Sequence, residues 1–218
     1  MSESKLSFKK KRVRSFFLAS HKKEVSKDEL EDELEKKGMV YIQMRLPVDK
    51  ITPEIVSKIK EKVERNIFKA KIREATKADL ESVVYLYNKS WMTSCTPFSP
   101  LSIDSLKNLY EYPEIKILIA KVYGSDSGFV ILDLEGPNNE FGVIAGLGVL
   151  PRFQRKGLGT VIAMAAWNYF KKIGIKELRC EVYKENKVSY NFITSLGFEE
   201  FDIKVYKRED FELRDSTN

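Results

Sequence analysis

Histidine occurs once in this sequence, at position 21, and cysteine twice, at positions 95 and 180, with no CxxC pair. That scarcity excludes a disulfide framework and the usual zinc sites, which draw on clustered cysteine and histidine. No metal is implied, and Cys180 reads as a buried strand residue. Long apolar runs are missing as well. Stretches such as residues 116–122 and 143–150 fall well short of the ~20 residues that span a bilayer. The basic start is not followed by an apolar segment with a small-residue cleavage site, so the expectation is an unprocessed cytoplasmic chain with no membrane partner.

Charge of one sign is also scarce once the first residues are set aside. The net charge is +6, but residues 1–14 hold six basic side chains against Glu3, so the remaining 204 residues carry about +1. The excess belongs to a tail. A nucleic-acid protein led by that tail is the weakest reading, because the rest of the chain offers no basic surface. What the sequence does have is enough apolar material for one core: 218 residues, 43% apolar and 11% aromatic, which suits a single domain with an appendage.

Along the chain, Ser26-x-x-Glu29 followed by Leu30, Leu34 and Gly38 predicts a short capped helix. Residues 39–46 are rich in strand formers and end at Pro47. Thr52-Pro53 opens a helix carrying Ile55, Ile59, Val63 and Ile67 at helical spacing. Residues 71–75 form a strand, and Thr76 to Asp79 begins a helix with Leu80, Val83, Val84, Leu86 and Tyr87 on its buried face. Residues 90–100 read as a loop whose Trp91, Cys95 and Phe98 are candidates to line a pocket, and 102–110 as a short helix. Three strands at 115–123, 129–134 and 141–150 are joined by turns at 124–128 and 136–139, which implies an antiparallel meander. A helix from Leu158 to the closing Gly174, a strand at 177–183, a helix at 186–196 capped by Gly197 and a strand at 198–206 complete the pattern.

The chemistry is read from Gln154-Arg155-Lys156-Gly157-Leu158-Gly159-Thr160, between a strand and a helix. Backbone N–H groups there can converge at the positive end of a helix dipole, and two glycines let the main chain approach phosphate oxygens. The loop lacks the GK[ST] ending of a P-loop and the full GxGxxG of a dinucleotide fold. Two glycines after a strand also suit any tight turn. The wider pattern is more specific: Val149-x-Pro151-x-x-Gln154-x-x-Gly157-x-Gly159 resembles the acyl-CoA signature of the GNAT superfamily of N-acyltransferases. Ile72-Arg73-x-Ala75-Thr76-x-x-Asp79-Leu80, Arg179-x-Glu181-Val182, and Asn186-x-x-Ser189 with Gly197-Phe198 resemble further segments of that family, in order, across residues 71–206.

The resemblance implies an α/β fold of the α+β type, with a mixed, mostly antiparallel sheet, helices on both faces, and a fourth and fifth strand that run parallel and splay apart. Together with the element pattern, it leaves a basic tail and accessory helix (1–38), an added strand and helix (39–69), an acyltransferase-like domain (70–207) and a tail (208–218). It implies acetyl-CoA as co-substrate, its pyrophosphate on Gln154, Arg155, Lys156, Gly157, Leu158, Gly159 and Thr160, and further contacts from Asn186 and Tyr190. The pantetheine arm would pair with backbone groups of Leu147, Gly148 and Val149, and the Val149 N–H would hold the thioester oxygen. The position of the family's catalytic tyrosine is Ile193 here, so Tyr190, one helical turn earlier, is the candidate acid. Val143 occupies the position of the family's glutamate. Glu140 at the strand entry is the candidate base, set against a reading of Glu140, Asp133 and Glu135 alike as solvated turn charges, with proton removal through water and backbone carbonyls as the equal alternative. The expected reaction is acetyl transfer to a primary amine of a small molecule or a protein by direct attack; the sequence leaves the oligomeric state open, a dimer included. The alternative is a non-catalytic acyl-CoA-binding or regulatory module.

Overall fold

The structure, a computed structural model, describes residues 38–66, 68–92 and 100–206. The basic tail, the helix expected from Ser26, most of the 90–100 loop with Cys95 and Phe98, and the tail from Arg208 lie outside these residues. Seven strands and five α-helices follow in chain order: β1 (Met39–Pro47), α1 (Pro53–Glu64), β2 (Lys71–Glu74), α2 (Leu80–Trp91), α3 (Ile103–Tyr110), β3 (Lys116–Val122), β4 (Ser125–Glu135), β5 (Phe141–Val149), α4 (Leu158–Ile173), β6 (Glu177–Tyr183), α5 (Lys187–Ser195) and β7 (Glu199–Tyr206). All the strands join one sheet in the order β2-β3-β4-β5-β6-β1-β7.

Local chemistry accounts for the element starts. Thr52 caps α1, accepting from the Ile55 N–H, with Pro53 in the first turn. Thr76 and Asp79 form a reciprocal capping box before α2, and Arg73 donates two bonds to the Asp79 carboxylate at 2.7 and 2.6 Å. These bonds hold the Asp79 carboxyl well below the usual range, the Arg73 guanidinium foremost. Between β3 and β4 the sequence suggests a turn across 124–128, but the reversal takes only Tyr123 and Gly124, with φ of 50° and 81°. Two successive left-handed residues make a two-residue hairpin whose twist matches the strands, so Ser125 already pairs with Val122.

Phe129, Val130, Ile131 and Leu132 of β4 are all fully buried. A continuous apolar run of this kind requires cover on both faces of the sheet. A Cβ on Gly148 would stand 2.4 Å from the Phe129 ring and 3.0 Å from Ser90 of α2, whereas one on Gly128, the register partner of Val149, would stand 2.6 Å from Ile162 of α4. So α2 covers one face and α4 the other. Cys180 is buried on β6, and burial pushes its thiol up to about 12. Asp133 and Glu135 are 1% and 5% exposed, which corrects their reading as solvated turn charges: β4 extends through both before the Gly136 turn.

β1 takes a place that its position in the chain does not suggest. It pairs antiparallel with β6 from Tyr41↔Tyr183 to Pro47↔Glu177 on one edge, and with β7 from Met39↔Tyr206 to Arg45↔Glu199 on the other. The strand read as an addition therefore lies inside the sheet, with Met44 fully buried.

Candidate active site

The site begins with a fault in the sheet. β5 and β6, the only parallel neighbours among the described strands, pair from Phe141↔Glu177 to Ile144↔Cys180 and no further. At that point the β4–β5 register also slips: Ile131 faces Gly146 and Leu132 faces Ile144, so Ala145 is an extra residue. A bulge bends its strand and increases the local twist, which turns residues 145–149 away from β6 and opens a gap.

The ladder then fixes which backbone groups face the gap. Leu150 N–H donates to Ser127 O at 2.9 Å, which makes Ser127 and Leu150 a hydrogen-bonded pair. Antiparallel pairs alternate, so Gly148 and Gly146 turn their polar groups toward β4, while Val149 and Leu147 turn theirs away from it, toward the gap. Leu147 and Val149 thus direct backbone groups to the edge where the sequence expects the pantetheine arm. For Gly148 the expectation is corrected, because its backbone serves the ladder and its missing side chain makes room for Phe129 and Ser90.

After β5 a single 3-10 turn (Pro151–Phe153) leads into the glycine loop. Gln154 Nε2 donates to Val149 O at 2.9 Å and ties the loop to the strand. Arg155 and Gly157 are left-handed, with φ of 56° and 82°, and α4 starts at Leu158, which is fully buried. The first N–H groups of a helix have no acceptor within it; α4 runs for 16 residues, which places the positive end of a full helix dipole at this loop. Gly159 lies under Phe192 of α5, whose ring a Cβ there would meet at 3.4 Å.

One participant was not visible in the sequence. Asn66, just after α1, donates from Nδ2 to Lys156 O at 2.9 Å and accepts the Phe68 N–H at 2.8 Å. Phe68 in turn packs edge-on against Phe153 at 5.2 Å, with Lys156 Nζ 5.9 Å above its ring. The segment following the N-terminal helix thus braces the loop from outside. We expect Asn66→Ala to weaken CoA binding about tenfold, roughly 1.4 kcal/mol for one hydrogen bond to a loop that must hold its shape. Calorimetric titration with CoA checks this, and an unchanged affinity would remove Asn66 from the site.

The other expected residues have partners of their own. Asn186 is buried and caps α5 through the Ser189 N–H at 3.0 Å. The Tyr190 hydroxyl donates to Glu200 of β7, which holds the phenol above its usual range. β7 lies two strands beyond β6, roughly 10 Å at ~4.8 Å per strand, so this hydroxyl points away from the gap. Glu140 accepts the Asn138 N–H at 2.9 Å in the turn before β5 and stands about 30 Å from Val149 at ~3.3 Å per residue. Neither the candidate acid nor the candidate base reaches the gap. Asp133 does approach it. Its register partner is Val143, and opposed residues share a face with Cβ atoms about 5 Å apart. Counting by twos from Phe129 puts both on the α2 side, next to the bulge.

Residues 80–198 match the acetyltransferase (GNAT) family. The chain belongs to that family. A curated relative, an uncharacterized N-acetyltransferase of Methanocaldococcus jannaschii, is 30% identical over 139 residues, covering 61% of this chain and 62% of the relative's own length. Among solved structures, an aminoglycoside N-acetyltransferase in complex with CoA superposes with a TM-score of 0.53 at 20% identity, covering 65% of this chain and 95% of that one. The PaiA N-acetyltransferase of Thermoplasma acidophilum in complex with coenzyme A gives 0.51 at 24%, covering 63% and 99%. The ribosomal-protein-S18-alanine N-acetyltransferase of Escherichia coli gives 0.52 at 20%, covering 61% and 79%. At these identities the structural likeness establishes the GNAT fold. The family match begins at Leu80, so β1, α1 and the Asn66 brace of this GNAT chain lie outside it.

Proposed function

We propose that this chain transfers the acetyl group of acetyl-CoA to a primary amine by direct attack of the amine on the thioester. The observation that carries this reading is the outward-turned N–H pair of Leu147 and Val149 beside a helix-terminal glycine loop. The loop presents convergent N–H donors and the rim cations Arg152, Arg155 and Lys156 to a pyrophosphate. An extended arm leaving it runs along an unpaired strand edge, where backbone groups seek partners. Acetyl-CoA supplies an acyl group activated as a thioester. Val149 N–H would take the charge that develops on the carbonyl oxygen, and Leu147 N–H, two residues before it, would pair with the arm.

Proton removal is assigned to Asp133. Ile193 and Val143 in place of the expected acid and base motivate the binding-module alternative; Asp133 brings a carboxylate to the same face from the neighbouring strand, which supports catalysis. A general base contributes 10²–10⁴-fold in favourable cases, and water can replace it in part. We expect Asp133→Asn to lower kcat about thirtyfold with CoA affinity unchanged. Stopped assays of CoA thiol release combined with CoA titration separate the two effects; an undiminished kcat would assign the proton to another group. The function as a whole is tested by thiol release from acetyl-CoA with diamines, amino acids, amino-terminal peptides and lysine peptides. CoA binding without turnover on any of these amines would leave the binding-module reading in its place.

A further inference from the structure

The reversal between β3 and β4 carries a side chain that its own turn does not favour. Tyr123 is left-handed, with φ of 50°, at a hairpin position that suits glycine, asparagine or aspartate. A bulky residue is strained in that conformation. Packing does not offset the strain, because Tyr123, at 80%, is the most exposed large hydrophobic side chain among the described residues. Two other described non-glycine residues have positive φ, Asn139 and Arg155. Asparagine tolerates that conformation; Arg155 belongs to the glycine loop. Strained residues collect at ligand sites, and the two bulky ones stand at the same end of the sheet.

The ladder places them there. Leu150 N–H bonds Ser127 O, so Tyr123, on the far side of Ser127, lies roughly 13 Å past Leu150 at ~3.3 Å per residue, on the side where the chain continues into the loop. Its ring meets Phe68 at 84°, with 6.1 Å between centres. Phe68 meets Phe153 at 5.2 Å, and both are buried. Lys156 Nζ stands 5.9 Å from the centre of the Phe68 ring and the Arg152 guanidinium 4.8 Å from that of Phe153. The cluster thus has a buried base, one open ring and a cationic border. Arg152, Arg155 and Lys156 have no carboxylate partner among the described residues.

An open aromatic ring bordered by cations suits a nucleobase that carries phosphate. Bases of any identity stack on such a face, while the cations hold the charge. CoA contains such a base: its adenosine is joined to the pantetheine arm through the pyrophosphate and bears a further phosphate on the ribose. With the pyrophosphate on the loop and the arm along β5, the adenosine is the part left to reach beyond the rim.

We propose that Tyr123 is the stacking platform for the adenine of CoA. The inference rests on the loop that begins at Gln154 holding the pyrophosphate. It gives the costly turn residue a purpose that neither the hairpin nor the core supplies.

The test is Tyr123→Asn in the full chain. Asparagine removes the ring and relieves the left-handed position, so the melting temperature is expected to hold or rise. Calorimetric titration is expected to show CoA binding about tenfold weaker, within the worth of one stacked base. 4′-Phosphopantetheine, the half of CoA without the base, is expected to bind variant and wild type alike. Tyr123→Trp, which keeps an aromatic face, is expected to retain the affinity for CoA. The platform is overturned by a CoA affinity in Tyr123→Asn within twofold of wild type, by an equal loss for 4′-phosphopantetheine, or by a loss that Tyr123→Trp shares. A wild-type chain that binds neither CoA nor 4′-phosphopantetheine overturns the loop reading itself, whereas tight CoA binding indifferent to Tyr123→Asn removes the platform alone.

Discussion

Gly157→Glu abolishes CoA binding: a loss beyond hundredfold, about 3 kcal/mol or more, is the expected result. Three effects coincide at this position. The backbone is left-handed, with φ of 82°, which costs an L-residue about 1–2 kcal/mol. A Cβ would stand 2.4 Å from Asn66 Nδ2, so any side chain displaces the amide that braces Lys156. The glutamate charge would then sit where the pyrophosphate oxygens belong, at the mouth of a helix dipole. Gly157→Ala carries the first two effects without the third and is expected to cost about tenfold. Because the clash is with Asn66 itself, Gly157→Ala and Asn66→Ala should be markedly non-additive. Calorimetry on each variant gives the affinities, and thermal melts should move by only a few degrees, since position 157 is exposed. A Gly157→Glu chain that binds CoA within twofold of wild type would remove the loop from the site.

Removal of residues 1–47 is expected to abolish cooperative folding, although the family match begins only at Leu80. β1 supplies seven register pairs to β6 and seven to β7, and among the described residues β7 has no other strand neighbour. Ile42, Met44 and Leu46 are buried. Losing buried side chains of this size costs about 2–5 kcal/mol each, against a total stability of about 5–15 kcal/mol. Far-UV circular dichroism and size-exclusion chromatography on the truncated chain decide the matter. A sharp melt near that of the full chain would mean that the rest of the sheet closes without β1.

These two cases also mark how far the sequence could be read. The Gln154 loop was legible because its chemistry is local: glycines, a preceding strand and a following helix lie within a dozen residues. The strands were legible one by one from their apolar runs. What no strand carries is the identity of its neighbour, and β1 therefore read as an appendage until its pairing with β6 and β7 was seen. Tyr190 and Glu140 were chosen by spacing along the chain, but hydrogen bonding turns one hydroxyl toward β7 and strand length carries the other carboxylate to the wrong end of β5. Asp133 was set aside because it precedes a turn. Its value comes from standing opposite Val143, a relation between strands that spacing does not contain. Asn66 meets Lys156 at a separation of 90 residues and gives no local signal.

The interior place of β1 also bears on time. Met39 pairs with Tyr206, so the sheet closes only by joining two segments separated by nearly the whole described chain. Contacts this distant in sequence slow folding, because the entropy of closing the loop is lost before the pairing is gained. During synthesis, β1 emerges early and must wait, unpaired, until β6 and then β7 have been made. Over that interval its two open edges and its buried-face residues Ile42, Met44 and Leu46 are exposed to any other strand in reach. Slow refolding and a dependence on chaperones in the cell follow from the same feature that completes the sheet.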